Sequence, residues 1–287
     1  MEIVPKKINV RQMVATDIPG AMQLVLAENW NQTQVDWQMF LELNSNLCLV
    51  ATYKTAIIGT VTAINYKNDV AWIGMMLVSK AFRGLGVSKS LLNTIIEKLE
   101  GCKSIKLDAT AAGIPVYKKL GFQEELEIDR MVTTPFNSII NNRSRDIVRV
   151  ISENDLVELS KLDSKFFGAN RIDLINFLKK KNKGWCLIRN ECIVGYVFVR
   201  PGRNYFQLGP LMAETVDDAL NLIEIILENN VGQSIVIDVL HDQFKFKERL
   251  ASLGFSFQRS FVRMYLRNNS FAGLVNKQFL IAGPELG

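Results

Sequence analysis

Val78-Ser79-Lys80-Ala81-Phe82-Arg83-Gly84-Leu85-Gly86-Val87-Ser88 is the stretch on which the reading of this chain turns. Residues 70–78 before it read as a strand. After it, Leu91, Leu92, Ile95, Ile96 and Leu99 keep helical spacing and predict a helix over 87–99. The stretch is therefore a strand-to-helix turn. Its glycines leave backbone N–H groups uncovered at a helix N-terminus, where unpaired donors and the positive end of the dipole make an anion site. Phosphate is the natural guest, and the tight turn needs backbone angles that glycine tolerates best.

Phosphate loops come in several patterns. A Walker loop ending in Lys89-Ser90 needs glycine at 83 and 88, where Arg83 and Ser88 stand. A dinucleotide fingerprint from Gly84 needs a small residue at 89, where Lys89 stands. The pattern that remains is Arg-x-x-Gly-x-small behind a strand ending in valine. A nucleotide-dependent kinase or ATPase is disfavoured on the same ground.

Outward from the turn, periodicity predicts a strand at 8–13, helices at 17–28 and 34–43, and strands at 46–53 and 57–65. Downstream come a strand at 104–109, a short helix at 114–120 and a strand at 122–133. A linker follows at 135–142, and the order begins again. The repeat can be followed residue by residue. Cys48-Leu49-Val50 matches Cys186-Leu187-Ile188, Gly59 matches Gly195, and Ile73-Gly74 matches Leu208-Gly209. Asp108 matches Asp238, Leu120-Gly121-Phe122 matches Leu253-Gly254-Phe255, and Arg130-Met131 matches Arg263-Met264. The second copy lacks about six residues, those of the Arg-Gly-Leu-Gly region. Two domains are expected, at 1–137 and 138–287.

Composition narrows the class. With 287 residues, 48% hydrophobic and 22% charged, the chain can build two cores. The net charge of +5 is spread over both halves, so no nucleic-acid footprint is expected. Four cysteines without a Cys-x-x-Cys pair and a single histidine, His241, argue against a metal site and for free, buried thiols. The first residues lack a signal-peptide core, and no apolar run approaches the ~20 residues of a membrane span. A cytoplasmic protein with no membrane partner, monomeric or homodimeric, is the expectation.

At this point the sequence resembles the GNAT acetyltransferase superfamily, over roughly residues 8–133. The segment 78–87 carries one half of the resemblance. The other is Val116-Tyr117-Lys118-Lys119-Leu120-Gly121-Phe122, similar to the family's Leu-Tyr-x-Lys-Leu-Gly-Phe. Two positions depart: Ser88 replaces the last small residue of the loop, and Thr110 stands where the family has asparagine. Trp30-Asn31 with Asp36, the phrase Leu107-Asp108-Ala109-Thr110, and the ending 282–287 are similar to a bacterial subgroup with a second, GNAT-like C-terminal domain.

The resemblance implies an α/β (α+β) fold: tandem GNAT-like units, each a mixed, mostly antiparallel twisted sheet flanked by helices. It implies acetyl-CoA as co-substrate and no metal. Met76, Leu77 and Val78 would contact the pantetheine arm between splayed strands. Arg83, Gly84, Leu85, Gly86, Val87 and Ser88 would hold the pyrophosphate, with Thr110 and Tyr117 nearby. Tyr117 would be the general acid, and Asp36 and Asp108 are candidates for the base. Trp30 and Trp72 could wall the acceptor pocket. The activity implied is transfer of acetyl to a primary amine of a small molecule or peptide. A non-catalytic acyl-CoA sensor is the alternative. The second domain keeps charged residues without first-copy matches, Asp163, Arg171, Arg200 and Arg203. It is expected to pack on the first and supply one wall of that pocket.

Overall fold

The computed structural model describes residues 8–133 and 147–287, so the predicted linker and the first seven residues lie outside the described residues. The first copy runs β1 (Ile8–Gln12), α1 (Ile18–Ala27), α2 (Gln34–Asn44), β2 (Cys48–Tyr53), β3 (Ala56–Tyr66) and β4 (Val70–Val78). It continues through α3 (Val87–Lys98), β5 (Ser104–Ala109), α4 (Ile114–Lys118) and β6 (Gln123–Thr133). The second runs β7 (Ile147–Val150), α5 (Leu156–Phe167), α6 (Ile172–Lys181), β8 (Lys183–Arg189), β9 (Cys192–Pro201) and β10 (Phe206–Ala213). Then come α7 (Val216–Asn229), β11 (Ile235–Leu240), α8 (Phe244–Ser252) and β12 (Ser256–Arg267). A three-residue strand, β13 (Gln278–Leu280), follows; the sequence periodicity did not predict it.

The repeat is visible in local chemistry. Asp17 accepts the Val14 N–H at 2.9 Å and pairs with Arg11 at 2.7 Å. In the second copy Asp155 accepts the Ser152 N–H at 2.6 Å and pairs with Arg149 at 2.7 Å. Each Asp closes the turn that opens a helix by satisfying a backbone donor. On α3, Val87, Leu91, Leu92 and Ile95 are buried. A Cβ at Gly59 would come within 3.1 Å of Val87 and Leu91, so that glycine sets how closely α3 lies on the sheet. Between β4 and α3 lie eight residues, and between β10 and α7 only Glu214 and Thr215. The missing phosphate loop is thus a shortened turn.

All thirteen strands form one mixed sheet, β1-β2-β3-β4-β5-β12-β6-β11-β13-β10-β9-β8-β7. Among the described residues only β4–β5 and β10–β11 are parallel. The middle of the order shows that the copies exchange their last long strands. Strand β12 of the second copy pairs with β5 of the first, and β6 of the first pairs with β11 of the second. The two exchanged strands also pair with each other. Helices of both copies share one apolar core, in which Trp37, Phe40 and Trp72 pack with Phe166, Phe167 and Leu174. Cys48, Cys102 and Cys186 are buried free thiols. Cys192 departs from the expectation: it opens β9 directly after a two-residue turn and is exposed.

Candidate active site

Strands β4 and β5 pair only from Val70–Trp72 to Ser104–Lys106 and then part. The cause is a bulge in β4. The β3–β4 register shifts between Thr60 and Thr62, and Met75 takes a φ of +50°. That is a costly angle for a residue with a side chain, held here by the Thr60 hydroxyl donating to the Met75 carbonyl at 2.8 Å.

The parting leaves a cleft of about 450 Å³. Met76, Leu77 and Val78 line one side; Arg83, Gly84, Val87 and Ser88 line its loop end; Thr110 and Tyr117 line the opposite side. Gly84 and Gly86 sit at φ +77° and +81°, with open space where a Cβ would stand, so glycine is there for backbone angle. Among the described residues the N–H groups of Gly84, Leu85 and Gly86 take no hydrogen bond, and α3 starts directly behind them. The Arg83 guanidinium donates to Glu28 at 2.6 Å, and Glu28 also lines the cleft. The Leu85 side chain packs towards the α3 core and, like Gly86, does not line the cleft.

The inner end of the cleft opens into a smaller chamber of about 70 Å³. Trp30, Met76, Thr110, Tyr117 and Arg259 line both and mark the junction. Tyr117 is 9% exposed, and a Cβ at Gly113 would meet its ring at 2.9 Å. Its hydroxyl makes no hydrogen bond among the described residues, and burial pushes its pKa up to about 12. Asp108 borders the chamber, but its side chain is fully buried, with both oxygens held by Arg263. Burial, opposed by that guanidinium, pushes Asp108 up to about 6.

Two residues expected at the site lie outside it. Asp36 accepts the Thr33 N–H and hydroxyl at the start of α2, and its other oxygen takes Arg200 Nη1 at 2.6 Å. Trp72 is buried behind the chamber, its Nε1 donating to the Pro284 carbonyl at 3.1 Å. Sequence reasoning passed over Gln32, Arg130, Arg259, Phe261, Pro284 and Glu285, which complete the chamber. The last four come from the second copy, so the chamber is walled by both.

The charged residues singled out in the second copy hold that wall. Arg200 donates to the Ala282 carbonyl at 2.6 Å and pairs with Glu285 at 3.1 Å. Arg171, paired with Asp163, donates to the Gly287 carbonyl at 2.8 Å. Arg203 donates to the Trp30 carbonyl at 2.7 Å. Burial raises Glu285 above the usual carboxylate range, against the pull of Arg200. Among the described residues, no cluster of His, Cys, Asp or Glu is suited to a metal ion, and no helix is long and apolar enough to cross a membrane.

A strand bulged open beside a parallel neighbour, with free loop amides at one end and a tyrosine at the other, lies in the first unit of a tandem fold. Comparison agrees: the chain belongs to the GNAT acetyltransferases. The model of the acetyltransferase (GNAT) family matches residues 19–122, and that of an acetyltransferase (GNAT) domain matches 159–280. Among proteins it resembles is the holothin acyltransferase of Pseudoalteromonas sp. (strain SANK 73390). They are 26% identical over 91% of this chain and 88% of that one. In fold it is similar to a candidate acetyltransferase from Pyrococcus horikoshii, with a TM-score of 0.85 and 21% identity. That match covers 100% of this chain and 98% of the other. A tandem GNAT protein from the clavulanic acid biosynthesis pathway also matches, with a TM-score of 0.63 and 13% identity over 90% and 98%.

Proposed function

We propose that the first copy binds acetyl-CoA and moves its acetyl group to a primary amine by direct attack, while the second copy builds part of the acceptor chamber. The observation that carries this is the continuity of the cleft. It runs from the loop end at Arg83, Gly84 and Ser88, along β4, to the free hydroxyl of Tyr117 at the chamber mouth. Acetyl-CoA supplies the activated thioester. The chain's own groups fit it: the loop amides and the α3 N-terminus suit a pyrophosphate, and the unpaired edge of β4 suits an amide-bearing arm.

The chemistry follows from the junction. The amine nitrogen bonds to the acetyl carbon as the carbon–sulfur bond breaks. Tyr117, kept protonated by burial, gives its proton to the departing sulfur. An alkylammonium has a pKa of about 10.4, so the acceptor must shed a proton near neutral pH. Asp108 is the candidate to take that proton through water: it borders the chamber, and burial makes it more basic than a surface carboxylate, although Arg263 must share its carboxylate for this. Asp36 is committed to its helix cap and to Arg200. The resemblance to an acyltransferase that acts on holothin supports a small-molecule acceptor. Titration calorimetry with acetyl-CoA, followed by an amine panel scored by CoA release, tests the proposal. One acetyl-CoA per chain and acetylation of at least one amine are expected; no binding overturns it.

A further inference from the structure

We propose that Arg259 holds a carboxylate carried by the acceptor, so that the acceptor class is a compact amino acid. This rests on the reading of the chamber as the acceptor site. Arg259 lies on β12 where chamber and cleft join. The other arginines around the chamber are spent on partners. Arg130 pairs with Asp238, Arg263 with Asp108, and Arg200 with Asp36 and Glu285. Arg259 makes no ion pair among the described residues. Its Nε is buried without a hydrogen-bond partner, and its guanidinium lies over the Phe261 ring at 4.9 Å.

A buried donor left unpaired costs free energy, and a guanidinium fork matches a carboxylate in geometry. The stack on Phe261 fixes the fork without using its donors. Burial and the neighbouring Arg130 both push Arg259 down from its usual pKa, which an incoming anion would relieve.

A second unpaired atom gives the rest of the ligand. Gln32 donates its Nε2 to Glu285 at 2.9 Å, which fixes the amide's orientation, and its Oε1 is buried with no partner. The chamber is thus bordered by Gln32, with its unpaired Oε1 beside the partnered Glu285 carboxylate, and by an unpaired cation. A molecule with an amine and a carboxylate satisfies both. A carboxylate arriving on the acyl group would satisfy Arg259 alone.

The test compares wild-type protein with Arg259→Gln and Arg259→Lys. Acceptors are the twenty protein amino acids and their carboxamides with acetyl-CoA, then the same acceptors with succinyl-CoA. Acetyl-CoA affinity is measured separately by calorimetry. The expected result is a KM for the preferred amino acid raised about 10–100-fold in Arg259→Gln, as for loss of a charge-assisted pair. The carboxamide KM should change far less than the amino-acid KM, and Arg259→Lys should recover part of the loss. Equal effects on acids and carboxamides, or acetylation only of amines without a carboxylate, would overturn the inference and leave the acetyltransferase reading intact. An effect confined to succinyl-CoA would place the carboxylate on the acyl group and also overturn it. Failure of the wild type to bind acetyl-CoA removes both readings.

Discussion

Arg263 donates from Nε and Nη2 to the two carboxylate oxygens of Asp108, at 2.9 and 3.2 Å, fastening the last long strand of the second copy to the fifth of the first. Arg130 makes the same fork to Asp238 in the opposite sense, at 2.7 Å for both bonds. Asp108 and Asp238 are equivalent in the repeat, as are Arg130 and Arg263. Each fork therefore joins a carboxylate of one copy to a guanidinium of the other, buried where the exchanged strands meet.

These forks should make unfolding cooperative across the chain. Arg263→Met leaves a buried carboxylate unpaired and should cost about 3–5 kcal/mol, while Asp108→Asn combined with Arg263→Met should cost less than the sum. Urea unfolding followed by tryptophan fluorescence and by far-UV circular dichroism should give one coincident transition. Two separated transitions would contradict the shared-sheet account.

A fragment ending at residue 137 keeps the loop at 83–88 but loses both neighbours of β6, since β11 and β12 belong to the second copy. It should be unfolded or self-associated at micromolar concentration. Sedimentation and circular dichroism check this. A folded monomer that binds CoA would show that the exchange is dispensable.

Gly86→Glu puts a carboxylate where the pyrophosphate would lie and a side chain on a φ of +81°. Acetyl-CoA binding should be lost, and stability in urea should fall by only about 1–2 kcal/mol, the cost of a side chain on a left-handed angle, because nothing stands within 4 Å of the new Cβ. Unchanged affinity by calorimetry would remove residues 83–88 from the cofactor site.

Tyr117→Phe removes a hydroxyl that holds no partner in the structure. Turnover should fall about 10²–10⁴-fold with acetyl-CoA affinity retained. Turnover within a factor of two of the parent would reassign Tyr117 to packing.

The pH profile separates two ways of losing the amine's proton. If Asp108 takes it, the reactive pair is the ionised carboxylate with the ammonium. The Asp108 pKa of about 6 is raised, so the carboxylate is protonated and idle below that value. In that case kcat/KM rises tenfold per unit below pH 6 and is flat from 7 to 9. Tyr117, near 12, adds no falling limb in that range. A continued tenfold rise per unit from pH 7 to 9 would mean that the amine binds neutral and that Asp108 takes no proton.

Much of this was legible in local pattern. The loop at 83–88, the repeat and the six-residue loss follow from periodicity and glycine placement, because each depends on neighbours in the chain. The strand exchange does not. Residues 256–267 alternate equally well beside β5 or β11, and equivalent Asp and Arg residues in both copies cannot say which partners meet. Arg259 looked like any strand arginine until the fold left it alone among paired ones. Strand β13 has three residues, too few for a period, and Glu285 gains its meaning only from folding back onto Gly74. A Cβ at Gly74 would lie 2.7 Å from the Glu285 carbonyl oxygen.

The C-terminal segment also acts on the second copy. There β10 and β11 pair from Phe206–Leu208 to Ile235–Ile237 and then part, as β4 and β5 do, but β13 fills the gap and pairs with both. Gly209, the counterpart of Gly74, faces the Ile281 carbonyl across a space too small for a Cβ. The second unit is thus stoppered by its own chain, and restoring six loop residues there would not create a second binding cleft. The same ten residues that close this groove go on to finish the chamber of the first unit. Any change in their length is felt twice, as a vacancy in one unit and a breached wall in the other.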